Sequence, residues 1–344
     1  MQFTLDKGHF ITDDKMKKQT IAGLLALSLM LAVAGCGKTT ESKKADSKTE
    51  NTQEAETRKL DIQDRSGNDI TLPEEVKTII SMSPATTRVL IDMGVAEKIV
   101  AADTNSQASY GDKLGKDVEY FDMMQPDQEK IAALAPDIMF TSGMSSKEGE
   151  DAFANVRTAG VCVADIPSST SIKGIEEDIT FLGYCLDMED EAEKLVKEMD
   201  EEIAKIEAIA KTIPEEEKKT VLFELYTPSA DNPTIYTAGQ GTYIQEMLEK
   251  VGVENVAAKE EGQWPALTEE AAVGMNPDVI LTADMYTPDV INVLLKMKGW
   301  ENVSAIKDEA VYQINADDVN QPNHHIVDAM KAIAKSVYPD YFKE

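Results

Sequence analysis

Polar and apolar positions divide the chain into a leader, an unpatterned stretch and a long patterned region. Ile21 to Ala34 is an almost unbroken apolar run behind Lys15, Lys17 and Lys18. At about 14 residues it falls short of the ~20 that a spanning helix needs, and it fits the apolar segment of an export signal. Residues 37–57 are Lys, Thr, Ser, Glu, Asp, Asn and Gln with almost nothing apolar, so no core can form there. From Leu60 onward, short apolar runs alternate with helical periodicity. Val76–Ser81, Lys98–Ala102, Asp137–Thr141 and Val161–Ile166 read as buried strands, with helices such as Ala85–Met93 and Gln128–Leu134 between them. A second set follows, with strands at Thr220–Tyr226, Asp278–Ala283 and Ala310–Ile314 and helices at Tyr243–Val251, Glu269–Met275 and His325–Val337. Such alternation predicts an α/β fold of two Rossmann-like lobes with parallel sheets.

Between the two sets, Ala192, Leu195, Val196, Met199, Ile203 and Ile206 recur at helical spacing, and Pro214 closes the run. About 25 residues at ~1.5 Å each give a rod of roughly 37 Å. The predicted organisation is a signal peptide (1–35), a tether (36–58), an N-terminal lobe (59–188), a single connecting helix (189–213) and a C-terminal lobe (214–344). Asp6, Asp13 and Asp14 do not suit a signal peptide, so Met16 is read as the true start. The two lobes echo each other. Glu129 leads through an apolar stretch to Pro136-Asp137-Ile138, and Glu270 leads to Pro277-Asp278-Val279. Asp92-Met-Gly-Val-Ala-Glu97 likewise matches Lys250-Val-Gly-Val-Glu-Asn255, which suggests a duplicated lobe with a pseudo-twofold relation.

Two resemblances extend this reading. Val33-Ala34-Gly35-Cys36 resembles the lipobox of bacterial lipoproteins, which implies that Cys36 is diacylated, becomes the mature N-terminus and holds the chain on the extracytoplasmic face of the cell membrane. The stretch from Lys59 to Phe342 resembles the helical-backbone family of solute-binding proteins. The resemblance is carried by Ile80-Ser-Met-Ser-Pro-Ala85, the two Glu-to-Asp segments, Gly299-Trp300-Glu-Asn-Val-Ser-Ala-Ile306 and Ile326-Val-Asp-Ala through Tyr338-Pro339. That family serves ABC importers of ferric siderophores, haem and cobalamin. The resemblance implies a monomeric carrier with no permanent cofactor, partnered by a permease dimer and its ATPase subunits. It also implies one exposed Glu per lobe engaging Arg pockets of the permease, and Glu129 and Glu270 match those positions. The ligand would lie between the lobes at the C-terminal ends of the strands, in line with the general rule for open α/β sheets.

Composition narrows the cargo. A net charge of −29 and an aromatic content of 6% make nucleic acid a poor partner. Apart from His9 in the leader, the histidines are the adjacent His324 and His325, too few for a bare-metal site built from both lobes. The arginines are Arg58, Arg65, Arg88 and Arg157, none clearly in a cleft loop. Many relatives carry Arg-Pro-Gly-Pro-Arg where this chain has Gln321-Pro-Asn-His-His325, a departure that weakens the case for a strongly anionic ligand. A hydroxamate-type iron complex leads, with a corrinoid or haem as alternatives. The repeat aligns Met123 with Trp264, and both are expected at the cleft. Met144, Tyr110, Tyr226, Tyr236 and Tyr286, with His324 and His325, complete the expected ligand-binding set, and Met124 and Met285 sit on neighbouring loops. No nucleophile elbow, phosphate loop, dinucleotide fingerprint or zinc-hydrolase motif is present, so no catalytic residue is assigned. A cell-surface lipoprotein enzyme or adhesion module on the same two lobes is the rival class. Cys162 and Cys185 sit in apolar stretches and read as buried free thiols, with their pairing open.

Overall fold

The computed structural model describes residues 58–144, 151–229 and 232–343. The leader, Cys36 and the tether lie outside the described residues. Among the described residues, no helix is long and apolar enough to cross a membrane.

The first lobe opens with an antiparallel pair, β1 (Asp61–Gln63) and β2 (Asp69–Thr71). It continues through β3 (Ile79–Met82), α1 (Pro84–Asp92), β4 (Ile99–Asp103), α2 (Thr104–Tyr110), β5 (Glu119–Phe121), α3 (Gln128–Ala133), β6 (Ile138–Thr141), α4 (Ala154–Thr158), β7 (Cys162–Asp165) and α5 (Ile172–Leu186). A single long helix, α6 (Glu189–Ala210), leads into the second lobe. That lobe comprises β8 (Thr220–Glu224), β9 (Ile235–Tyr236), α7 (Tyr243–Val251), β10 (Glu254–Asn255), β11 (Ala266–Leu267), α8 (Glu269–Met275), β12 (Val279–Thr282), α9 (Val290–Leu295), α10 (Ser304–Lys307), β13 (Val311–Gln313), α11 (Ala316–Val319) and α12 (Ile326–Val337). Both main sheets are parallel. The first runs β5-β4-β3-β6-β7 and the second β10-β8-β12-β13, which is the same order without the outer edge strand.

The duplication reaches individual hydrogen bonds. Asp137 accepts from the Thr78 backbone N–H (2.9 Å) and hydroxyl (3.0 Å), while its own N–H donates to that hydroxyl (3.0 Å). Asp278 repeats the clamp on Thr220 at 2.9, 2.8 and 3.0 Å. Ala135 and Asn276, each ahead of the Pro-Asp, both adopt positive φ. Gly94 and Gly252 end α1 and α7 in the left-handed region, and Val95 and Val253 donate back to Leu90 and Leu248. The Pro-Asp motif is thus a strand-pair clamp as well as a helix stop.

The helix α6 is 22 residues long, about 33 Å at ~1.5 Å per residue. It stops short of the predicted Ile213 because Thr212 and Ile213 turn back onto Ile209 and Ala210 in tight bonds. Ala192, Met199, Ile203, Ile206 and Ala210 are buried on one face. That face joins one continuous core containing Ile175, Ile179 and Leu182 of the first lobe and Met247, Met330 and Ile333 of the second. A side chain on Gly183 would collide with the Ala192 methyl, so α5 and α6 meet at a point that only Gly fits. Lys250 and Lys331 reach Glu207 and Glu202 across the other junction.

Because this core is shared, Ile203→Ala should lower the unfolding free energy by about 2–4 kcal/mol and leave a single cooperative transition. Urea unfolding followed by circular dichroism and by Trp300 fluorescence would show coincident curves. Two separated transitions would mean that the lobes fold independently.

Candidate functional site

The C-terminal ends of both sheets carry a concentration of exposed large apolar side chains: Met124 and Met144 on the first lobe, Tyr226, Trp264, Met285 and Tyr286 on the second. Ordered loops hold them there. Asp122 caps its own loop by accepting from Met124 N–H (2.8 Å) and Gln125 N–H (3.2 Å). Asn105 lies 3.2 Å from the sulfur of the half-buried Met123. In the second lobe, Asp284 accepts from the backbone of Thr227 (3.0 Å), Tyr286 (2.8 Å) and Thr287 (3.1 Å) and from the Thr287 hydroxyl (2.6 Å). Burial works to raise this carboxyl, but those bonds outweigh it and hold it at about 2. By tying two loops together, Asp284 lets Tyr226 and Tyr286 stack, with centroids 6.3 Å apart and planes 20° from parallel. Trp264 is 47% exposed on a segment fixed by Gly239 N–H to Gln263 O (2.8 Å) and Thr237 N–H to Pro265 O (3.1 Å). Tyr236 is half-buried and pairs with Ala266.

Three expected ligand-binding residues are engaged elsewhere. Residues 104–110 form α2, whose N-cap Asp103 accepts from the Asn105 and Ser106 N–H groups. Tyr110 is consequently 3% exposed, with its hydroxyl on Gln321 and Arg88 5.6 Å above its ring. Burial, aided by Asp317, pushes its phenol up to about 12. His324 and His325 both turn toward Asp92, the last residue of α1. With Ser109–Asp317 (2.8 Å) and Glu246 on the Ile172 N–H (2.8 Å), these contacts join the lobes. Burial lowers the pKa of His324. For His325 burial is outweighed by Asp328 and Asp92, which raise it. A cavity of about 20 Å³ lies in the first lobe, lined by residues including Ser83, Thr86, Ile166 and Asp178, with Pro322 of the second lobe at its edge.

Positive charge is withheld from this rim. Arg65 pairs with Asp178 and Glu177, Arg88 with Asp92, and Arg157 with Asp151 and Asp165, while Arg58 donates to the Cys185 carbonyl. Among the described rim segments 81–84, 121–125, 142–144, 166–170, 225–229, 263–265, 283–287 and 320–323 there is no Lys or Arg. Cys162 and Cys185 are free thiols, half-buried and buried, and burial raises the pKa of both. Glu129 and Glu270 are exposed at the second position of α3 and α8, behind the caps Asp127 and Thr268.

These features are those of a two-lobed solute carrier, and residues 79–317 match the periplasmic binding protein family, to which the chain belongs. It is 33% identical over 331 residues to YvrC, an ABC transporter substrate-binding lipoprotein of Bacillus subtilis, covering 96% of this chain and 100% of that protein. It is 25% identical over 287 residues to a cobalamin-binding protein of Halobacterium salinarum, covering 80% of this chain and 73% of the relative. Among solved structures, a possible iron-binding periplasmic solute-binding protein of Staphylococcus epidermidis superposes with a TM-score of 0.66 at 25% identity. That alignment covers 77% of this chain and 100% of the other.

One residue of interest was not singled out from sequence. Glu224 ends β8 at the cleft end of the sheet, 2% exposed, with Oε2 free of any partner among the described residues. Its counterpart by strand register in the first lobe is Met82, since Met82 faces Thr141 as Glu224 faces Thr282. The fold is content with an apolar side chain there. Burial, with Asp284 nearby, pushes the Glu224 carboxyl up to about 8 from an ordinary value of 4.5. The folded state therefore keeps a proton that the unfolded state releases across that interval. Stability should fall as pH rises from about 4.5 to about 8, by up to about 1.4 kcal/mol per pH unit. Glu224→Met, copying the first lobe, should remove this fall. Urea unfolding at several pH values compares the two, and parallel pH profiles would show that Glu224 is already ionised in the folded protein.

Proposed function

We propose that this protein is the lipid-anchored, extracytoplasmic carrier of an ABC importer for a bulky metal complex of little negative charge, a ferric hydroxamate first and a corrinoid second. It is a carrier and not an enzyme. The observation that carries this reading is the rim itself, which is aromatic and sulfur-bearing and has no cation among its described segments. Clefts for large ligands are mostly apolar with a few placed polar groups, and Met adapts to irregular shapes. A tricatecholate complex or the two carboxylates of haem would each be favoured by Arg or Lys. The withdrawal of His324 and His325 into the lobe junction also argues against their serving as axial ligands to haem iron. The corrinoid reading draws on the cobalamin-binding relative. Anchoring through Cys36 agrees with the lipoprotein among the relatives.

Trp264 offers a direct readout, because Trp300 is buried far from solvent. Titration with a ferric trihydroxamate, cyanocobalamin, a ferric tricatecholate and haemin should quench Trp264 fluorescence with one of the first two. Trp264→Ala should weaken that binding by about 1–3 kcal/mol, roughly 5- to 150-fold. Tight binding of the tricatecholate or haemin alone would reject the neutral-cargo reading.

The permease is proposed to engage Glu129 and Glu270. Their matching positions supply one anchor per lobe for a twofold partner. A single exposed ion pair contributes only ~0.2–1 kcal/mol, whereas bidentate pairs with Arg are stronger. Glu129→Ala combined with Glu270→Ala should abolish uptake into vesicles containing the transporter while leaving cargo affinity unchanged. Normal uptake by the double variant would refute the docking role.

A further inference from the structure

The lobe junction holds a geometry that a pair of neutral imidazoles does not satisfy. His324 Nε2 and His325 Nε2 lie 2.9 and 2.8 Å from the same oxygen, Asp92 Oδ2. The other nitrogen of His325, Nδ1, lies 2.6 Å from Asp328 Oδ2. A carboxylate brings no proton, and a neutral imidazole carries one N–H. That N–H can serve Asp328 or Asp92, not both. With Nδ1–H on Asp328, the Nε2 lone pair of His325 points at the Asp92 carboxylate, and the gap calls for a positive centre. That centre is either a second proton on the ring or a metal ion.

We propose that Asp92, His324 and His325 form a divalent transition-metal site, with Zn²⁺ the best fit to two imidazoles and a carboxylate. The Asp328–His325 contact then acts as the outer carboxylate that fixes tautomer and ring orientation in carboxylate–histidine–metal arrangements. The three ligand atoms lie within 4.8 Å of one another, as do those of Asp318, His325 and Asp328. Tetrahedral coordination at about 2.0–2.2 Å separates ligand atoms by about 3.3 Å, so the present spacing needs to widen by about half an ångström. The cations facing the site are Arg88, whose Nε lies 2.7 Å from Asp92 Oδ2, and Lys331, whose charge acts on Asp328. Asp92, Asp317, Asp318 and Asp328 surround Arg88 and leave the locality short of positive charge. Asp92 Oδ1 accepts no hydrogen bond among the described residues, which gives Arg88 an oxygen to move to. Asp92 ends α1 of the first lobe, and the histidines precede α12 of the second. The ion would therefore cross-link the lobes, whatever the cargo.

Of the chain's 3 histidines His9 lies in the leader, so in the mature protein every histidine resonance comes from the site. Zn²⁺ titration of ¹⁵N-histidine-labelled mature protein should shift the ring resonances of His324 and His325 together and saturate at one equivalent. Co²⁺ should give the visible absorption of a tetrahedral N/O site. Zn²⁺ should raise the thermal midpoint, and Asp92→Asn should weaken Zn²⁺ binding by about tenfold or more. If the metal-free Asp92→Asn protein fails to melt cooperatively, His324→Gln takes its place. Two outcomes overturn the proposal. One is a His325 ring doubly protonated at neutral pH and indifferent to Zn²⁺, which makes the cluster a hydrogen-bonded junction. The other is Zn²⁺ binding that neither variant changes, which assigns the ion to surface carboxylates.

Discussion

Everything at the cleft depends on the buried face of α6. One helix supplies Ala192, Met199, Ile203, Ile206 and Ala210 to a core that both lobes share. Moving one lobe against the other would expose part of that core, at a cost of about 25 cal/mol for each Å² returned to water. The close contact at Gly183 and Ala192 leaves no slack on the first-lobe side, and Glu202 and Glu207 hold α12 and α7 on the other. The rim is thus presented as a nearly preformed surface. Affinity in such a site rests on fit and on little ordering cost, not on large closure.

The duplicated lobe provides an internal control. Where the two copies agree, as in the Thr78–Asp137 and Thr220–Asp278 clamps or the turns at Gly94 and Gly252, the residues serve the shared architecture. Where they differ at matched positions, architecture cannot be the reason. Met123 faces Trp264 in the alignment, and Met82 faces Glu224 in the strand register. Both differences fall at the cleft end of the sheets. The second lobe also lacks a counterpart of the outer strand β5, and its separate β9–β11 pair carries Tyr236 and begins β11 two residues after Trp264.

The central strands and long helices were legible because burial on both faces leaves continuous apolar runs, and Tyr243–Val251 and Glu269–Met275 begin and end where their caps dictate. The exposure of Trp264, Tyr286 and Met144 follows the reverse logic, as large apolar groups outside any periodic face, whereas Tyr226, read as a strand end, lies beyond β8 and is exposed. What the sequence left unread was whatever rests on distant partners. Residues 104–110 are polar enough to pass for a loop until Asp103 is seen capping them as a helix. The fate of Tyr110 depends on Gln321, and that of His324 and His325 on Asp92, more than two hundred residues away in the chain. Glu224 looked like one more acid in an acidic chain. Its unusual state comes from burial, which periodicity alone did not separate from the strand's exposed end.

Charge placement gives the final constraint on cargo. With a net charge of −29, the protein's field repels anions at long range. Proteins of such charge can still bind anions when a local cluster of Arg and Lys overrides the field. Here Arg65, Arg88 and Arg157 are neutralised by the protein's own carboxylates, and Arg58 is held by a backbone carbonyl. The described rim offers no replacement. On the proposed reading, the far field and the described near contacts disfavour the same class of ligand. The same field would keep the folded lobes away from anionic headgroups, so that on the proposed anchor membrane attachment falls to the lipid at Cys36 and to specific docking on the permease.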